Sequence, residues 1–317
     1  MEMILFSAKI ASKYQERLKA NFPNQVFTFC ESNDEIKQHV SDAAVIVTYG
    51  EDLTAELIGQ ANSLKWIMVI SAGVDKLPFQ AIRKKGILVT NARGIHKIPM
   101  AEYAISMLLQ VYRQEKVIMQ NQAEKVWDKS VCMKEITGKT MLIAGTGAIG
   151  QEVARIAKAF HMKTIGVSRS GSDVTFFDEN HSTDDMNGLL PHADFIITVL
   201  PNTKETQGLF TYEHFQNMPN HAVFVNMGRG NIVSSTDLLK AIREKEIAHA
   251  VLDVFEEEPL PTEHAFWQEE NITITPHISG VSPNYVPRAM EIFEHNLQVY
   301  LDERDTYVNI IDVTRGY

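Results

Sequence analysis

Three side chains in this 317-residue sequence have the types and settings needed to move a proton and hold an anion: Arg229, Glu258 and His277. His277 lies in Thr275-Pro276-His277-Ile278-Ser279-Gly280. Of eleven histidines it alone is set directly at the end of an apolar run, inside a turn shaped by proline and glycine. Imidazole gives and takes protons near neutral pH, which makes His277 the natural acid or base. Glu258 ends a run of three acids before Pro259 and Pro261, and the prolines stiffen the stretch so that one carboxylate can be aimed. A carboxylate beside an imidazole selects its tautomer and keeps a proton available, while Glu256 and Glu257 are left to solvent. Arg229 is flanked by Gly228 and Gly230, so the chain can pass close to a ligand while a fork of N–H donors grips a carboxylate and polarises a neighbouring carbonyl. Plainer readings stay open: an exposed arginine on a turn, a solvated acidic loop, a structural histidine.

A second group of residues suits a dinucleotide. Gly145-Thr146-Gly147-Ala148-Ile149-Gly150 has the GxGxxG spacing, which is weak by itself. Here an apolar run, Met141 to Ala144, precedes it, and a helical pattern with Ile149, Val153, Ile156, Ala157 and Phe160 on one face follows. In that setting Gly145 permits a tight turn, Gly147 lets the backbone approach a pyrophosphate, and Gly150 lets the helix pack closely. The amides of Ala148 and Ile149 would hold the phosphate at the helix N-terminus; the alternative is a plain glycine turn. The next strand ends in Val167-Ser168-Arg169-Ser170, where an NAD site carries an acid for the ribose hydroxyls. Arg169, with Ser168 and Ser170 beside it, suits a 2′-phosphate and favours NADP over NAD. The competing reading stacks Arg169 on the adenine or leaves it in solvent.

These residues need elements that bring them to one edge. Short apolar runs at Ile4–Phe6, Val26–Phe29, Ala43–Thr48, Trp66–Ile70 and Leu88–Thr90 alternate with amphipathic stretches, the pattern of strands buried on both faces of a parallel sheet. After Asn91 the rhythm changes: Pro99 stands at a helix start and an unbroken periodic stretch runs from Met100 to about Met119. A second series follows, with six strands expected at Thr140–Ala144, Thr164–Val167, Phe195–Leu200, Ala222–Asn226, Ala250–Val254 and Ile272–Thr275, then a helix at about Pro287–Leu301 and an extended tail through Ile310 and Ile311. The fold class is therefore α/β, with two doubly wound parallel-sheet domains. Ligands bind outside the carboxyl ends of such strands, and Pro201, Arg229, Asp253 and His277 all fall there. The preferred layout is one domain built from 1–97 and 282–317, with a second, 98–281, inserted.

Composition narrows the partners. Forty Asp and Glu against thirty Lys and Arg give a net charge of −10 with no basic run, which argues against nucleic acid. Cys30 and Cys132 have no CxxC or Cys/His spacing, so both thiols are expected to be small buried hydrophobes, with no disulfide and no metal site. The first ten residues lack the basic and long apolar regions of a signal peptide, and no apolar run reaches 18 residues. A soluble, cytoplasmic protein without membrane contact is expected.

Together, Ser71-Ala72-Gly73-Val74-Asp75, Asn91 to Gly94, Met100-Ala101-Glu102, Gly145 to Gly150, Leu200-Pro201, Asn226 to Gly230, Asp253 to Pro261 and Thr275 to Gly280 resemble the D-isomer-specific 2-hydroxyacid dehydrogenases, in order and over nearly the whole chain. The resemblance implies a Rossmann cofactor domain inserted into a flavodoxin-like substrate domain, an active-site cleft between them, and a homodimer joined through the cofactor domains. It implies Arg229 as the binder of a 2-keto acid, Glu258 as the partner of His277, and His277 as the proton donor to the carbonyl oxygen or, in reverse, the base. The amides of Ala72, Gly73 and Val74 resemble a second anchor for the substrate carboxylate. Asp253 resembles the acid near the nicotinamide carboxamide, Thr206 lies in a similar turn near the cofactor, and Leu200, Pro201, Met227, Gly228 and Gly280 fall at further cofactor positions. Arg169 departs from the family's usual acid and supports NADP, with NAD still possible.

Glu258 and His277 together argue against a formate dehydrogenase, and the length argues against the long phosphoglycerate dehydrogenases. The expected reaction is NADPH-dependent reduction of a small 2-keto acid of the glyoxylate or hydroxypyruvate type. The alternatives are an NAD-dependent dehydrogenase for another acid, such as phosphoglycerate or D-lactate, and a dinucleotide-sensing corepressor-like binding protein. A methyltransferase leaves Arg229, Glu258 and His277 unexplained together. Trp127 resembles a tryptophan that crosses into a partner's site, with a core or surface aromatic as the alternative; Tyr49, Met100 and Tyr285 are expected to shape the pocket.

Overall fold

Successive residues of a strand point to opposite faces, so an apolar strand can serve two cores at once. In the computed structural model, which describes residues 2–315, both sheets are built this way. Met1, Gly316 and Tyr317, at the ends of the expected first domain, lie outside the described residues. The chain divides into two compact units, Met1–His96 with Ser282–Tyr317, and Lys97–Val281. Lys97, expected to close the first segment, instead opens the helix Lys97–Tyr112 of the second unit.

The first unit holds β1 (Met3–Phe6), β2 (Val26–Phe29), β3 (Ala43–Thr48), β4 (Trp66–Val69) and β5 (Leu88–Asn91), all parallel, in the order β2-β1-β3-β4-β5. Leu5, Ile46, Ile67 and Val89 feed one core, while Ile4, Phe6, Val47 and Met68 feed the other, where the C-terminal helix Tyr285–Leu301 contributes Met290, Phe293 and Leu297. Ile310 pairs antiparallel with Thr90, which ties the tail to this sheet.

The second unit holds β6 (Thr140–Ala144), β7 (Lys163–Ser168), β8 (Glu179–Ser182), β9 (Phe195–Thr198), β10 (Val223–Asn226), β11 (His249–Leu252) and β12 (Ile272–Ile274), again parallel, in the order β12-β11-β10-β9-β6-β7-β8. Seven strands replace the six expected. The added strand, Glu-Asn-His-Ser at the sheet edge, is partly exposed along its whole length and so carries no apolar signature. The expected long helix is also two: Lys97–Tyr112 is followed by Glu115–Glu124, and Gln114 between them has a left-handed φ of 55° that no helix continues through. Because every strand is parallel, the turns after β6, β7, β9, β10, β11 and β12 share one edge of the sheet.

Cys30 is buried as expected, but Cys132 is exposed, because the stretch around it lies outside any strand or helix and packs little of its length. Among the described residues no helix is long and apolar enough to cross a membrane, and no cluster of three or more His, Cys, Asp or Glu could hold a metal ion.

Candidate active site

The turn after β6 is shaped by missing side chains. Gly145 has φ +109°, and a Cβ there would stand 2.8 Å from the carbonyl oxygen of Val199. A Cβ on Gly150 would stand 2.0 Å from the carbonyl oxygen of Gly145, so the helix Ala148–Ala159 can start this close to the strand only with glycine at that position. Gly147 caps that helix with no side-chain hydrogen bond, a Cβ on it would meet nothing within 4 Å, and no acid lies in the first turn. The first N–H groups of a helix have no intrahelical acceptor and lie at the positive end of its dipole. An open, uncapped and acid-free terminus fits a pyrophosphate, and the amides of Ala148 and Ile149 are the ones offered.

At the end of β7, Ser168 is half-buried and Arg169 and Ser170 are exposed. The Ser168 hydroxyl accepts from the Gly171 amide at 3.2 Å, and the Ser170 hydroxyl accepts from the Ser172 amide at 3.3 Å, so a short turn presents all three. Glu205 is held below the ordinary carboxylate range by its own amide and the Thr203 hydroxyl, with the charges of Arg169 and Lys204 adding to the effect. Thr206 keeps the Pro201–Thr206 turn closed, donating to the Pro201 carbonyl at 2.6 Å and accepting from the Thr203 amide at 2.9 Å. Pro201 is exposed, whereas Leu200, Met227 and Gly228 are buried, so those three can offer a ligand only their backbone edges.

The turns after β10, β11 and β12 are tied to one another. Asn226 is buried and accepts from the Thr198 hydroxyl at 2.8 Å and the Gly228 amide at 3.2 Å, while its own amide donates to the Arg229 carbonyl at 3.0 Å. The Arg229 guanidinium, half-buried, donates to the Gly228 carbonyl at 2.9 Å. Gly230 passes so near Phe255 that a Cβ would lie 1.9 Å from its carbonyl, which sets the arginine turn against the acidic one. The Phe255 amide in turn donates to Glu258 Oε1 at 3.0 Å, and Glu258 Oε2 lies 2.8 Å from His277 Nδ1. With both carboxylate oxygens engaged, Glu258 fixes the ring: Nδ1 carries the proton toward the acid, and Nε2 is left for chemistry. Arg229, Glu258 and His277 are thus joined through Phe255, on three separate turns.

Two residues given no role from the sequence, Tyr103 and Thr275, join Asp253 on this edge. Asp253, fully buried, takes donors from the Thr275 hydroxyl and the Ile278 and Ser279 amides, and Tyr103 meets Thr275 at 2.7 Å. Tyr103 sits within a periodic helix and Thr275 at a strand end, positions at which a packing role and a polar one look alike in sequence. Ser279 is buried next to Gly280, which lies at the end of this turn.

In the first unit, the turn after β4 carries Ala72, Gly73 and Val74. The Ser71 hydroxyl donates to the Gly73 carbonyl at 2.9 Å and the Asn91 side chain to the Ala72 carbonyl at 2.6 Å, so the carbonyls are occupied within the turn. Tyr49 and Tyr285 stand on the same edge, with burial raising both phenols, Tyr285 to about 12, and the Tyr285 ring lies 5.1 Å from that of His96. Met100, expected in a pocket wall, is instead 9% exposed and packs into the core of the second unit with Ala101 and Ala104, because it lies on the inner face of its helix.

The sequence profile described as D-isomer specific 2-hydroxyacid dehydrogenase, NAD binding domain, matches residues 105–279, more than half of the chain. The chain belongs to the D-isomer specific 2-hydroxyacid dehydrogenase family. It is an NAD(P)-dependent oxidoreductase acting on a CH–OH group. A glyoxylate reductase of Thermofilum pendens is 31% identical over 274 residues, 84% of this chain and 80% of its own length. Among solved structures, a D-isomer specific 2-hydroxyacid dehydrogenase family protein of Aeromonas salmonicida has TM-score 0.89 at 34% identity, covering 98% of this chain and 99% of that one. An NADPH-dependent glyoxylate/hydroxypyruvate reductase of Sinorhizobium meliloti, solved with NADP and sulfate, has TM-score 0.84 at 25% identity over the full length of both chains.

Proposed function

We propose that this dehydrogenase reduces a small 2-keto acid of the glyoxylate or hydroxypyruvate type to the D-2-hydroxy acid and prefers NADPH. The observation that carries the reading is the 2.8 Å contact between His277 Nδ1 and a Glu258 carboxylate already held by the Phe255 amide. It leaves Nε2 of an oriented imidazole to protonate the carbonyl oxygen and, in the reverse direction, to take the hydroxyl proton. Arg229 grips the substrate carboxylate and polarises the carbonyl. The amides of Ala72, Gly73 and Val74 are proposed as a further anchor for a carboxylate, in a turn whose Ala72 and Gly73 carbonyls are held by the Asn91 side chain and the Ser71 hydroxyl. The dinucleotide, held at Gly145–Gly150, supplies the hydride. Arg169, with the hydroxyls of Ser168 and Ser170, takes the 2′-phosphate; its exposure and the absence of an acid in the Ser168–Ser170 turn support this preference.

The same reading makes the enzyme a homodimer. The helix Glu115–Glu124 buries none of its residues, and Met119 at 65% and Trp127 at 89% exposure are apolar side chains that a partner subunit would cover. Trp127 is not a core residue. Light scattering on the purified protein gives twice the 35.8 kDa chain mass if this holds and the chain mass if it does not.

The deciding experiment follows oxidation of NADPH and, separately, NADH with glyoxylate, hydroxypyruvate, pyruvate and phenylpyruvate. Turnover of glyoxylate and hydroxypyruvate with NADPH well ahead of NADH supports the proposal. Faster turnover with NADH removes the 2′-phosphate role of Arg169, and preference for phenylpyruvate removes the small substrate.

A further inference from the structure

Asp253 follows β11 and is 0% exposed, yet its carboxylate is surrounded by donors from its own chain. The Thr275 hydroxyl reaches Oδ1 at 2.5 Å and the Ile278 amide the same oxygen at 2.8 Å, while the Ser279 amide reaches Oδ2 at 2.8 Å. Three donors on two oxygens suit an anion, and such charge-assisted bonds are the strong ones. Thr275 has a single hydroxyl proton and spends it on Asp253, so toward Tyr103, 2.7 Å away, its oxygen can only accept. The direction is thereby set: the Tyr103 O–H donates to Thr275, and Thr275 donates to Asp253. Burial pushes the Tyr103 phenol well above its ordinary value, so this donor keeps its proton throughout the working pH range.

The clamped amides directly follow His277, whose φ of 55° lies in the left-handed region. That conformation is unfavourable for a non-glycine residue and is kept where surrounding bonds hold it. The Asp253 carboxylate supplies those bonds, and the Glu258 contact of His277 depends on the turn staying there.

We propose that Tyr103 is a positioning residue for His277: by orienting Thr275 and through it Asp253, it holds the Ile278–Ser279 amides and so keeps the imidazole against Glu258. The assignment rests on His277 as proton donor and adds to that reading a residue from the helix Lys97–Tyr112.

The test uses the full chain with Tyr103→Phe, Thr275→Val and Thr275→Ser. Amide hydrogen exchange at Ile278 and Ser279 is read without substrate or cofactor, and kcat and KM are read with NADPH and whichever keto acid the wild type turns over fastest. Tyr103→Phe and Thr275→Val are expected to speed both exchange rates and lower kcat about tenfold, the scale of one lost hydrogen bond, with KM within about threefold. Thr275→Ser, which keeps the hydroxyl, stays within about twofold of wild type on both readouts, and Tyr103→Phe combined with Thr275→Val is no worse than Thr275→Val alone, as a serial chain requires. Unchanged exchange in Tyr103→Phe, or faster exchange with unchanged kcat, overturns the proposal. So does a Thr275→Ser as impaired as Thr275→Val, a comparison that survives if Tyr103→Phe fails to fold. A wild type that turns over no keto acid defeats the proton-donor reading instead, while exchange still reports whether the clamp exists.

Discussion

Two turns on the same edge of the second sheet, Gly145–Gly150 after β6 and Thr275–Ser279 after β12, are held by opposite means. The first is made by atoms that are absent: glycine at 150 lets a helix begin where any side chain would meet the Gly145 carbonyl at 2.0 Å. The second is made by a buried charge, with Asp253 drawing in one hydroxyl and two amides so that His277 can keep its left-handed φ. A steric turn tolerates no added atom at its contact but is indifferent to polarity. An electrostatic turn fails when a donor is removed.

His277→Ala tests the end that the second turn positions: kcat for keto-acid reduction falls by about 10²–10⁴ while nucleotide affinity is kept, as steady-state rates and dinucleotide titration will show. Loss below tenfold returns His277 to a structural part. For the first turn the sharper experiment is a pair. Gly150→Ala, forced against the Gly145 carbonyl, loses about 1–3 kcal/mol in urea unfolding. Gly147→Ala, with nothing within 4 Å of its Cβ, melts as wild type and weakens only dinucleotide binding. Equal melting of both would break the steric account. At the neighbouring turn, Arg169→Asp raises KM for NADPH by about tenfold or more, through loss of a charge-assisted contact, and leaves NADH within about threefold.

The smallest effect concerns a half-buried histidine away from these turns. Burial, with the Lys116 charge adding, lowers His249 to about 4 from its ordinary 6.5, and its ring meets the Thr273 hydroxyl at 2.9 Å. Above 6.5 neither folded nor unfolded chain binds this proton. Between 6.5 and 4 the unfolded chain binds it and the fold does not, so stability is lost as pH falls, by up to about 1.4 kcal/mol per unit. Urea titrations at pH 7, 6 and 5 will show a shallower fall in His249→Gln than in the wild type; parallel curves would mean that His249 takes its proton without unfolding.

Legibility in the sequence followed the same division. The glycine turn, the flanking strand and the helix face were readable because their signals are local: spacing, periodicity and the types of a few neighbours. The edge strand Glu179–Ser182 was not, since its pairing with β7 depends on backbone bonds that polar residues make as well as apolar ones. Nor was the break at Gln114, where apolar periodicity continues across the interruption. Met100 had the right chemistry for a pocket wall and the wrong face of its helix. Arg229 and His277 were legible as types at strand ends and Glu258 as an acid stiffened by Pro259 and Pro261, but their connection through Gly230 and Phe255 was not.

What the sequence determined by itself is the alternation of apolar strands with helices, the edge on which polar residues collect, and the glycine cradle, because each follows from short-range sterics and from which residues must leave water. Tertiary structure alone decided that Asp253 turns its carboxylate toward the His277 turn, that Thr275 relays a hydrogen bond to it, and that Tyr103, 172 positions before Thr275 in the chain, stands behind them both. A hydrogen bond forms between atoms a few ångströms apart whatever their separation along the chain, and only the folded sheet and helix bring these three together.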